Sequence, residues 1–164
     1  MSETADRYNR HHILGVIGES GQKKLSQARV LIVGCGALGT HSAEYLARGG
    51  IGELRLVDRD FVDWSNLQRQ IAHTTARIGT PKTESAKQTV AALNPDVTVI
   101  PHRERLTPNN AARLIAAYDL VADGSDNFAT RFLVNDACYF AAKPLVSAAI
   151  LRFDGQVSTF KAFE

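Results

Sequence analysis

The sequence is poor in the features that mark several classes of protein. It has two cysteines, Cys35 and Cys138, which are far apart and outside any C-x-x-C pair. We therefore expect no structural zinc site from this chain alone and interpret both cysteines as packing residues. No apolar run approaches the roughly 20 residues that a membrane span needs, and none has the form of a signal-peptide core. These absences predict a cytoplasmic protein without membrane contact.

Charge of one sign is also scarce. The 19 basic and 17 acidic residues leave a net charge of +2, which is too small for a surface that neutralises many phosphates of a nucleic acid. The five histidines include no pair spaced i, i+4, so we expect no metal site from them and interpret His73 as a packing or surface residue.

The composition that is present fits one globular domain over residues 1–164, because 45% of the residues are apolar and 22% are charged. The apolar run RVLIVG at 29–34 is typical of a strand buried on both faces. Further strands are predicted at 53–58, 97–102 (nearer an edge), 119–126 and 143–150, with another beginning near Gln156. Helices are predicted at 18–28, 37–50, 81–95, 107–118 and 128–142. The alternation predicts an α/β fold with a Rossmann-like, doubly wound, mainly parallel sheet and an N-terminal helical arm.

A glycine-rich loop follows the first strand and precedes a helix. Gly34, Gly36 and Gly39 form the pattern G-x-G-x-x-G, which lets a pyrophosphate approach the backbone at a helix N-terminus. Asp58 ends the second strand at roughly the 20-residue distance at which a dinucleotide fold places the acid that holds a ribose hydroxyl. It is equally open to interpretation as an acid that caps a loop. Up to this point the motif fits a dehydrogenase and an ATP enzyme equally.

Basic residues further along favour ATP. Arg69 and Lys82 follow the ribose acid, and a triphosphate needs such cations more than a dinucleotide whose pyrophosphate is held by backbone N–H groups. Asn66 adds an uncharged donor. Taken one at a time, Arg69 and Lys82 are also interpretable as solvated surface residues.

Several motifs occur in a fixed order: RYNRH, GCGALG, DRDFVDWSNLQRQ, GTPKTESA, LNP and DGSDNFATR. In this order they resemble the ThiF, MoeB and HesA proteins, the bacterial relatives of ubiquitin-activating enzymes. The resemblance runs from about Arg7 to the last residues. Within the family the sequence is most similar to MoeB, the molybdopterin-synthase adenylyltransferase, with ThiF of thiamine biosynthesis next.

The resemblance implies that ATP and Mg²⁺ occupy the crevice. The cofactor-binding residues that it implies are Gly34, Gly36, Ala37, Gly39, Asp58, Asp60, Ser65, Asn66, Leu67, Gln68, Arg69, Lys82, Asp126 and Asn127. Asp126 is implied as the Mg²⁺ ligand. The catalytic residues that it implies are Arg69, Lys82, Asp126 and Arg10. Arg10 corresponds to an arginine that reaches from one subunit into the active site of its partner, which implies a homodimer.

The implied reaction is adenylation. The C-terminal carboxylate of a small ubiquitin-like sulfur-carrier protein, usually ending in Gly-Gly, attacks the α-phosphorus of ATP and displaces pyrophosphate. Two departures from the family pattern are present, because Ala37 stands where many members have glycine and His11 replaces a frequent glutamine beside Arg10.

Full family members run longer and carry two C-x-x-C zinc pairs and a crossover-loop cysteine that this chain lacks. The chain is therefore expected to be the ATP-binding part of a C-terminally incomplete domain, or a short protein that works with a second polypeptide. Other classes stay open at this point: a nicotinamide-dependent oxidoreductase, which leaves SNLQRQ and Lys82 without a role, a non-catalytic half of a hetero-oligomer, and a dehydratase that activates a carboxylate on transfer RNA.

Overall fold

The computed structural model describes residues 7–161. Residues 1–6 and 162–164 of the predicted domain lie outside this range. A single six-stranded sheet has the strand order β3-β2-β1-β4-β5-β6. The strands are β1 Arg29–Val33, β2 Glu53–Val57, β3 Thr98–His102, β4 Leu120–Asp123, β5 Leu145–Leu151 and β6 Asp154–Phe160. The helices are α1 Asn9–His12, α2 Gly18–Gln27, α3 Ala37–Arg48, α4 Lys82–Leu93, α5 Pro108–Ala116 and α6 Phe128–Phe140.

The topology confirms the predicted fold class. Strands β1 to β5 pair in parallel, and β3 forms one edge of the sheet, as predicted. The strand predicted near Gln156 begins at Asp154 and pairs antiparallel with β5. Only two residues separate these strands, and Arg152 adopts a positive φ of 56° in the turn, as tight hairpin turns require.

The sheet is covered on both faces, as the unbroken apolar run of β1 predicts. Val30 and Ile32 belong to one apolar cluster, while Leu31 and Val33 belong to the other. Because successive side chains of a strand point to opposite faces, a strand buried on both faces is apolar at every position. The prediction that Cys35 and Cys138 are packing residues is confirmed, since they are 1% and 2% exposed, respectively, one in each cluster.

Local signals explain where the helices around the cleft begin. Thr107 and Asn110 form a capping box with Pro108 at the first position of α5. The Asn127 side chain accepts a hydrogen bond from the Thr130 backbone N–H at 2.9 Å and so caps α6. Among residues 7–161, no helix is both long and apolar enough to span a lipid bilayer.

The segment between β2 and α4, residues 58–81, is irregular, but backbone hydrogen bonds join its two ends. Val62 donates a backbone hydrogen bond to Thr80 and accepts one from Gly79, both at 2.9 Å. The backbone N–H of Lys82 donates to the Asp60 carbonyl at 2.9 Å. These bonds bring the two ends of the segment together, so its middle part projects beside the glycine loop.

Candidate functional site

A cleft of about 700 Å³ lies at the carboxyl ends of β1, β2 and β4. The strand order reverses between β1 and β4, which is where ligands collect in open α/β sheets. The cleft is lined by most of the sequence-predicted residues: Gly34, Gly36, Ala37, Asp58, Asp60, Asn66, Arg69, Lys82, Asp126 and Asn127. Its volume lies within the range of roughly 300–1,000 Å³ that is usual for small-molecule sites.

The glycine loop exposes backbone to this cleft. Gly34 has a φ of 90°, a conformation that favours glycine. A Cβ added to Gly36 would meet no atom nearer than Nε2 of Gln70 at 3.8 Å. Gly36 is also the N-cap of α3, whose first residues Ala37 and Leu38 line the cleft. A helix N-terminus that faces a cleft through an unobstructed glycine can bind an anion with its backbone N–H groups.

Asp58 connects the glycine loop to the end of β2. Its Oδ2 accepts a hydrogen bond from the Cys35 backbone N–H at 2.7 Å, and its Oδ1 accepts one from the Asp60 backbone N–H at 2.8 Å. The interpretation as a loop-capping acid is therefore confirmed. Asp58 also lines the cleft, and a carboxylate oxygen can accept more than one hydrogen bond, so the capping role leaves it able to contact a ligand.

The predicted stretch from Ser65 to Arg69 reaches the cleft only in part. Four of the cofactor-binding residues that the family resemblance implies do not line the cleft: Gly39, Ser65, Leu67 and Gln68. Ser65 is turned toward Asp63, whose Oδ1 accepts from the Ser65 backbone N–H at 2.9 Å and from its hydroxyl at 2.7 Å. This bond begins a short 3-10 helix, and residues three apart on such a turn share one side. Of the stretch from Ser65 to Arg69, only Asn66 and Arg69 line the cleft.

Arg10 does not line the cleft of its own chain. It lies on α1, beside Tyr8, whose hydroxyl accepts a hydrogen bond from Asn94 at 2.7 Å. Gln22 of α2 donates to the Gly49 carbonyl at 3.0 Å. Both contacts are at the amino ends of β2 and β3, whereas the cleft is at the carboxyl ends. Because a five-residue strand is about 16 Å long, Arg10 is at the opposite end of the sheet.

Two cations of the cleft differ in their burial. Lys82, the first residue of α4, has a side chain only 9% exposed, and its Nζ lies 3.5 Å from Oδ2 of Asp60, which is 58% exposed. Arg69 is exposed and donates from Nη1 to the Ser65 carbonyl at 3.1 Å. The interpretation as solvated surface residues therefore holds for Arg69 and is wrong for Lys82, whose ammonium group is largely withdrawn from water.

Acidic and amide side chains follow β4. Asp126 is exposed at the cleft, and Asn127 beside it caps α6. Asp123 is buried and accepts hydrogen bonds from the Ser125 backbone N–H and the Ser147 hydroxyl. Within residues 7–161, no three His, Cys, Asp or Glu side chains are grouped as a metal site. Mg²⁺ is usually held by one or two carboxylates together with substrate phosphates and water, so this donor set fits Mg²⁺ that arrives with a nucleotide.

Sequence reasoning missed several residues of the cleft. They are Val33, Leu38, Val57, Arg59, Gln70, Glu104, Arg105, Leu106, Gly124, Ser125, Thr130, Arg131 and Ile150. Ser125, Thr130 and Arg131 belong to the quoted motif DGSDNFATR, which was the available signal for them. Arg131 Nη2 donates to the Ser125 and Ala148 carbonyls at 2.5 and 2.8 Å. It thereby fixes the segment that carries Asp126 to β5. Arg105 had no comparable signal.

His73 connects the glycine loop to α4 through hydrogen bonds. It is 5% exposed, with Nε2 3.2 Å from the Cys35 carbonyl and Nδ1 2.9 Å from the Ser85 hydroxyl. Since a carbonyl only accepts, Nε2 carries the proton and Nδ1 accepts from Ser85. Burial lowers the pKa of His73 from its usual value of 6.5, with the nearby positive charges of Lys82 and Arg77 acting in the same direction. The prediction that His73 is a packing or surface residue is confirmed as packing.

This lowered pKa predicts a pH-dependent stability. Between the folded-state pKa of His73 and 6.5, the unfolded chain binds a proton that the folded chain does not. The contribution of His73 to the free energy of unfolding is therefore complete above 6.5 and decreases as the pH falls through the folded-state pKa. We expect His73→Gln, which keeps a donor for the Cys35 carbonyl, to lose less stability than the wild type between about pH 7 and pH 5. Urea titrations of both proteins at several pH values measure this difference, and parallel curves would contradict it.

Known proteins match nearly the whole length of this chain. Residues 8–164 match the ThiF family. The chain is 50% identical over 158 residues to the probable adenylyltransferase/sulfurtransferase MoeZ of Mycobacterium tuberculosis, covering 96% of this chain and 40% of MoeZ. It is 48% identical over 158 residues to the sulfur carrier protein adenylyltransferase of Thermus thermophilus, covering 96% of this chain and 58% of the relative. The chain thus spans between 40% and 58% of the length of these relatives.

A solved structure with bound nucleotide is also similar. The E. coli tRNA N6-threonylcarbamoyladenosine dehydratase TcdA, in complex with ATP, has a TM-score of 0.83 and 29% identity over 89% of this chain and 60% of that chain. The fold, the cleft with its glycine loop, and the match over nearly the whole sequence agree with one another. The chain belongs to the ThiF family.

Proposed function

We propose that this chain forms the ATP-binding part of an enzyme that adenylates the C-terminal glycine carboxylate of a small ubiquitin-like sulfur-carrier protein. The observation that carries this proposal is the meeting of Lys82, Arg69 and the glycine loop in one cleft. A buried lysine and an arginine beside exposed backbone N–H groups suit a triphosphate. The names of the relatives, an adenylyltransferase/sulfurtransferase and a sulfur carrier protein adenylyltransferase, support the same chemistry.

Each part of the cleft has a role in this proposal. Asp58 accepts hydrogen bonds from the ribose hydroxyls, with Asp60 alongside it. The glycine loop and Asn66 donate to phosphate oxygens. Arg69 and Lys82 stabilise the negative charge that develops on the phosphates during transfer. Asp126, next to Asn127, supplies a carboxylate ligand to Mg²⁺, which neutralises phosphate charge when it is bound.

The protein supplies no nucleophile. One carboxylate oxygen of the carrier attacks the α-phosphorus of ATP, a new oxygen–phosphorus bond forms, and the bond to the bridging oxygen of the leaving pyrophosphate breaks. The products are the carrier acyl-adenylate and pyrophosphate. Catalysis then consists of positioning the two reactants and stabilising charge, and the cleft has the charged groups for the second task.

A homodimer is part of the proposal because of the position of Arg10. Arg10 is at the amino ends of the strands and the cleft is at their carboxyl ends, so an arginine that acts on ATP from α1 must come from a second subunit. We place the carrier in molybdenum-cofactor biosynthesis, with the sulfur carrier of thiamine biosynthesis as the alternative. A nucleotide-binding half of a hetero-oligomer without catalytic activity and a dehydratase that activates a carboxylate on transfer RNA are further alternatives.

A thermal-shift experiment on the full chain tests the nucleotide assignment. A ligand that binds only the folded state raises the melting temperature. We expect Mg²⁺-ATP to raise it, NAD⁺ to leave it unchanged, and Arg69→Ala to reduce the response to Mg²⁺-ATP. The matched control is Arg113→Ala, an exposed arginine of α5 that does not line the cleft. Stabilisation by NAD⁺ alone would replace the proposal with a nicotinamide-dependent enzyme.

A further inference from the structure

Two side chains in the cleft are buried without a hydrogen-bond partner. Gln70 is 4% exposed and Ser125 is 9% exposed, and both line the cleft. Within the part of the chain that the structure describes, neither Oε1 of Gln70 nor Oγ of Ser125 has a partner. Buried polar groups in folded proteins are nearly always paired, so an unpaired one calls for an explanation.

Both residues lie beside the glycine loop. Nε2 of Gln70 is the nearest atom to the position that a Cβ on Gly36 would occupy, at 3.8 Å. The backbone nitrogen of Ser125 lies 3.3 Å from the corresponding position on Gly34. The Gln70 side chain is therefore beside Gly36, and the Ser125 backbone is beside Gly34.

A second buried glutamine shows what full pairing looks like in this protein. Gln22 is 6% exposed. Its Oε1 is 2.7 Å from Nδ1 of His11, and its Nε2 donates to the Gly49 carbonyl at 3.0 Å. Gln22 of α2 therefore connects α1 to the residue that follows α3, which is a structural role. Gln70, equally buried, has no such pairing for its carboxamide oxygen.

We propose that Gln70 and Ser125 are nucleotide-binding residues whose side-chain N–H and O–H groups donate hydrogen bonds to a phosphate group that enters the cleft. This inference rests on the proposed function. Phosphate oxygens only accept hydrogen bonds, and the Gln70 carboxamide and the Ser125 hydroxyl both supply donors. Nε2 of Gln70 is already the carboxamide atom nearest to Gly36, so Gln70 can donate from its NH₂ group to a phosphate bound beside that glycine. Both residues donate without adding a charge to the cleft.

The proposal predicts opposite effects on the free protein and on binding. An unpaired buried group destabilises the free protein, so replacing it with an apolar group of similar shape is neutral or stabilising. The same replacement removes a hydrogen bond to a charged ligand and weakens binding. A glutamine with a structural role behaves differently, because its removal lowers stability.

The experiment compares Gln70→Met with Gln22→Met in the full chain, using the melting temperature without nucleotide and calorimetric titration with Mg²⁺-ATP. For Gln70→Met we expect a melting temperature equal to or above that of the wild type and a Kd raised by about tenfold. For Gln22→Met we expect a lower melting temperature and a Kd within about twofold of the wild type. A Gln70→Met protein that melts lower than the wild type, or that binds Mg²⁺-ATP equally well, overturns the proposal for Gln70.

Ser125→Ala gives a second test with a smaller structural change. Its control is Ser42→Ala, because the Ser42 hydroxyl already donates to the Leu38 carbonyl at 3.0 Å and lies outside the cleft lining. We expect weaker Mg²⁺-ATP binding for Ser125→Ala only, and equal binding by both variants overturns the role of Ser125. If the wild type itself does not bind Mg²⁺-ATP, the proposed function fails. If it binds and the variants bind equally well, only the present inference fails.

Discussion

Replacing Gly39 with alanine is expected to lower the free energy of unfolding by about 4 kcal/mol or more, in the range of the most disruptive single substitutions. A Cβ on Gly39 would lie 1.7 Å from the Gly34 carbonyl oxygen and 3.3 Å from Cγ2 of Ile32. The first of these atoms is backbone, so the overlap is relieved only by moving the loop away from α3. For a chain of this length, the melting temperature is expected to fall by about 8 to 16 °C, which circular dichroism measures.

Gly36→Ala is the matched control for Gly39→Ala. An added Cβ at Gly36 meets no atom nearer than 3.8 Å, so this variant is expected to keep the wild-type melting temperature. Because the methyl group takes up the space through which the backbone meets a phosphate, Mg²⁺-ATP affinity is expected to fall by about 10- to 100-fold. If Gly39→Ala melts at the same temperature as Gly36→Ala, the third glycine is not required for packing.

The two glycines show how far the motif could be interpreted from the sequence. The spacing G-x-G-x-x-G after an apolar run predicted the loop, the following helix and the nucleotide cleft. It did not distinguish a glycine that packs against backbone from one that faces the ligand. That difference depends on which way each Cα–H points in the folded loop. Gly39 was accordingly predicted as a ligand-binding residue, and it does not line the cleft.

Regular elements were predictable because their side chains repeat with a period. The alternation in β1 between the two faces, and the Pro and Thr residues that begin α5, are local signals. The segment 58–81 has no such period. The family resemblance implied Gln68 as a cofactor-binding residue. In the structure, Gln70 is buried at the cleft, whereas Gln68 is exposed and does not line it. No periodic pattern in this segment indicates which of the two glutamines faces inward.

His73 and Arg131 illustrate long-range effects that a sequence pattern does not contain. His73 joins Cys35 of the glycine loop to Ser85 of α4. Arg131 joins the segment that follows β4 to β5. Each contact depends on the packing of separate elements around one end of the sheet. The sequence therefore predicted which residues make up the cleft better than it predicted which residues hold the cleft in shape.

Replacing Lys82 with methionine is expected to weaken Mg²⁺-ATP binding by about 100-fold, while the melting temperature stays at or above the wild-type value. Lys82 is costly to the free protein in two ways. Its charge is withdrawn from water, and it occupies the first position of α4, where the helix dipole disfavours a positive charge. Its one ion-pair partner in the described residues, Asp60, is 58% exposed, so the pair is screened by solvent and contributes little stability.

A cation held in so unfavourable a position is explained by a ligand that needs it, because natural proteins break local rules mainly at functional sites. The control is Lys87→Met, an exposed lysine one and a half turns further along α4, for which we expect unchanged affinity and stability. Calorimetric titration and thermal melts of both variants decide the matter. If Lys82→Met loses stability but keeps its affinity for Mg²⁺-ATP, Lys82 is a structural residue and the proposed adenylation activity loses its main support.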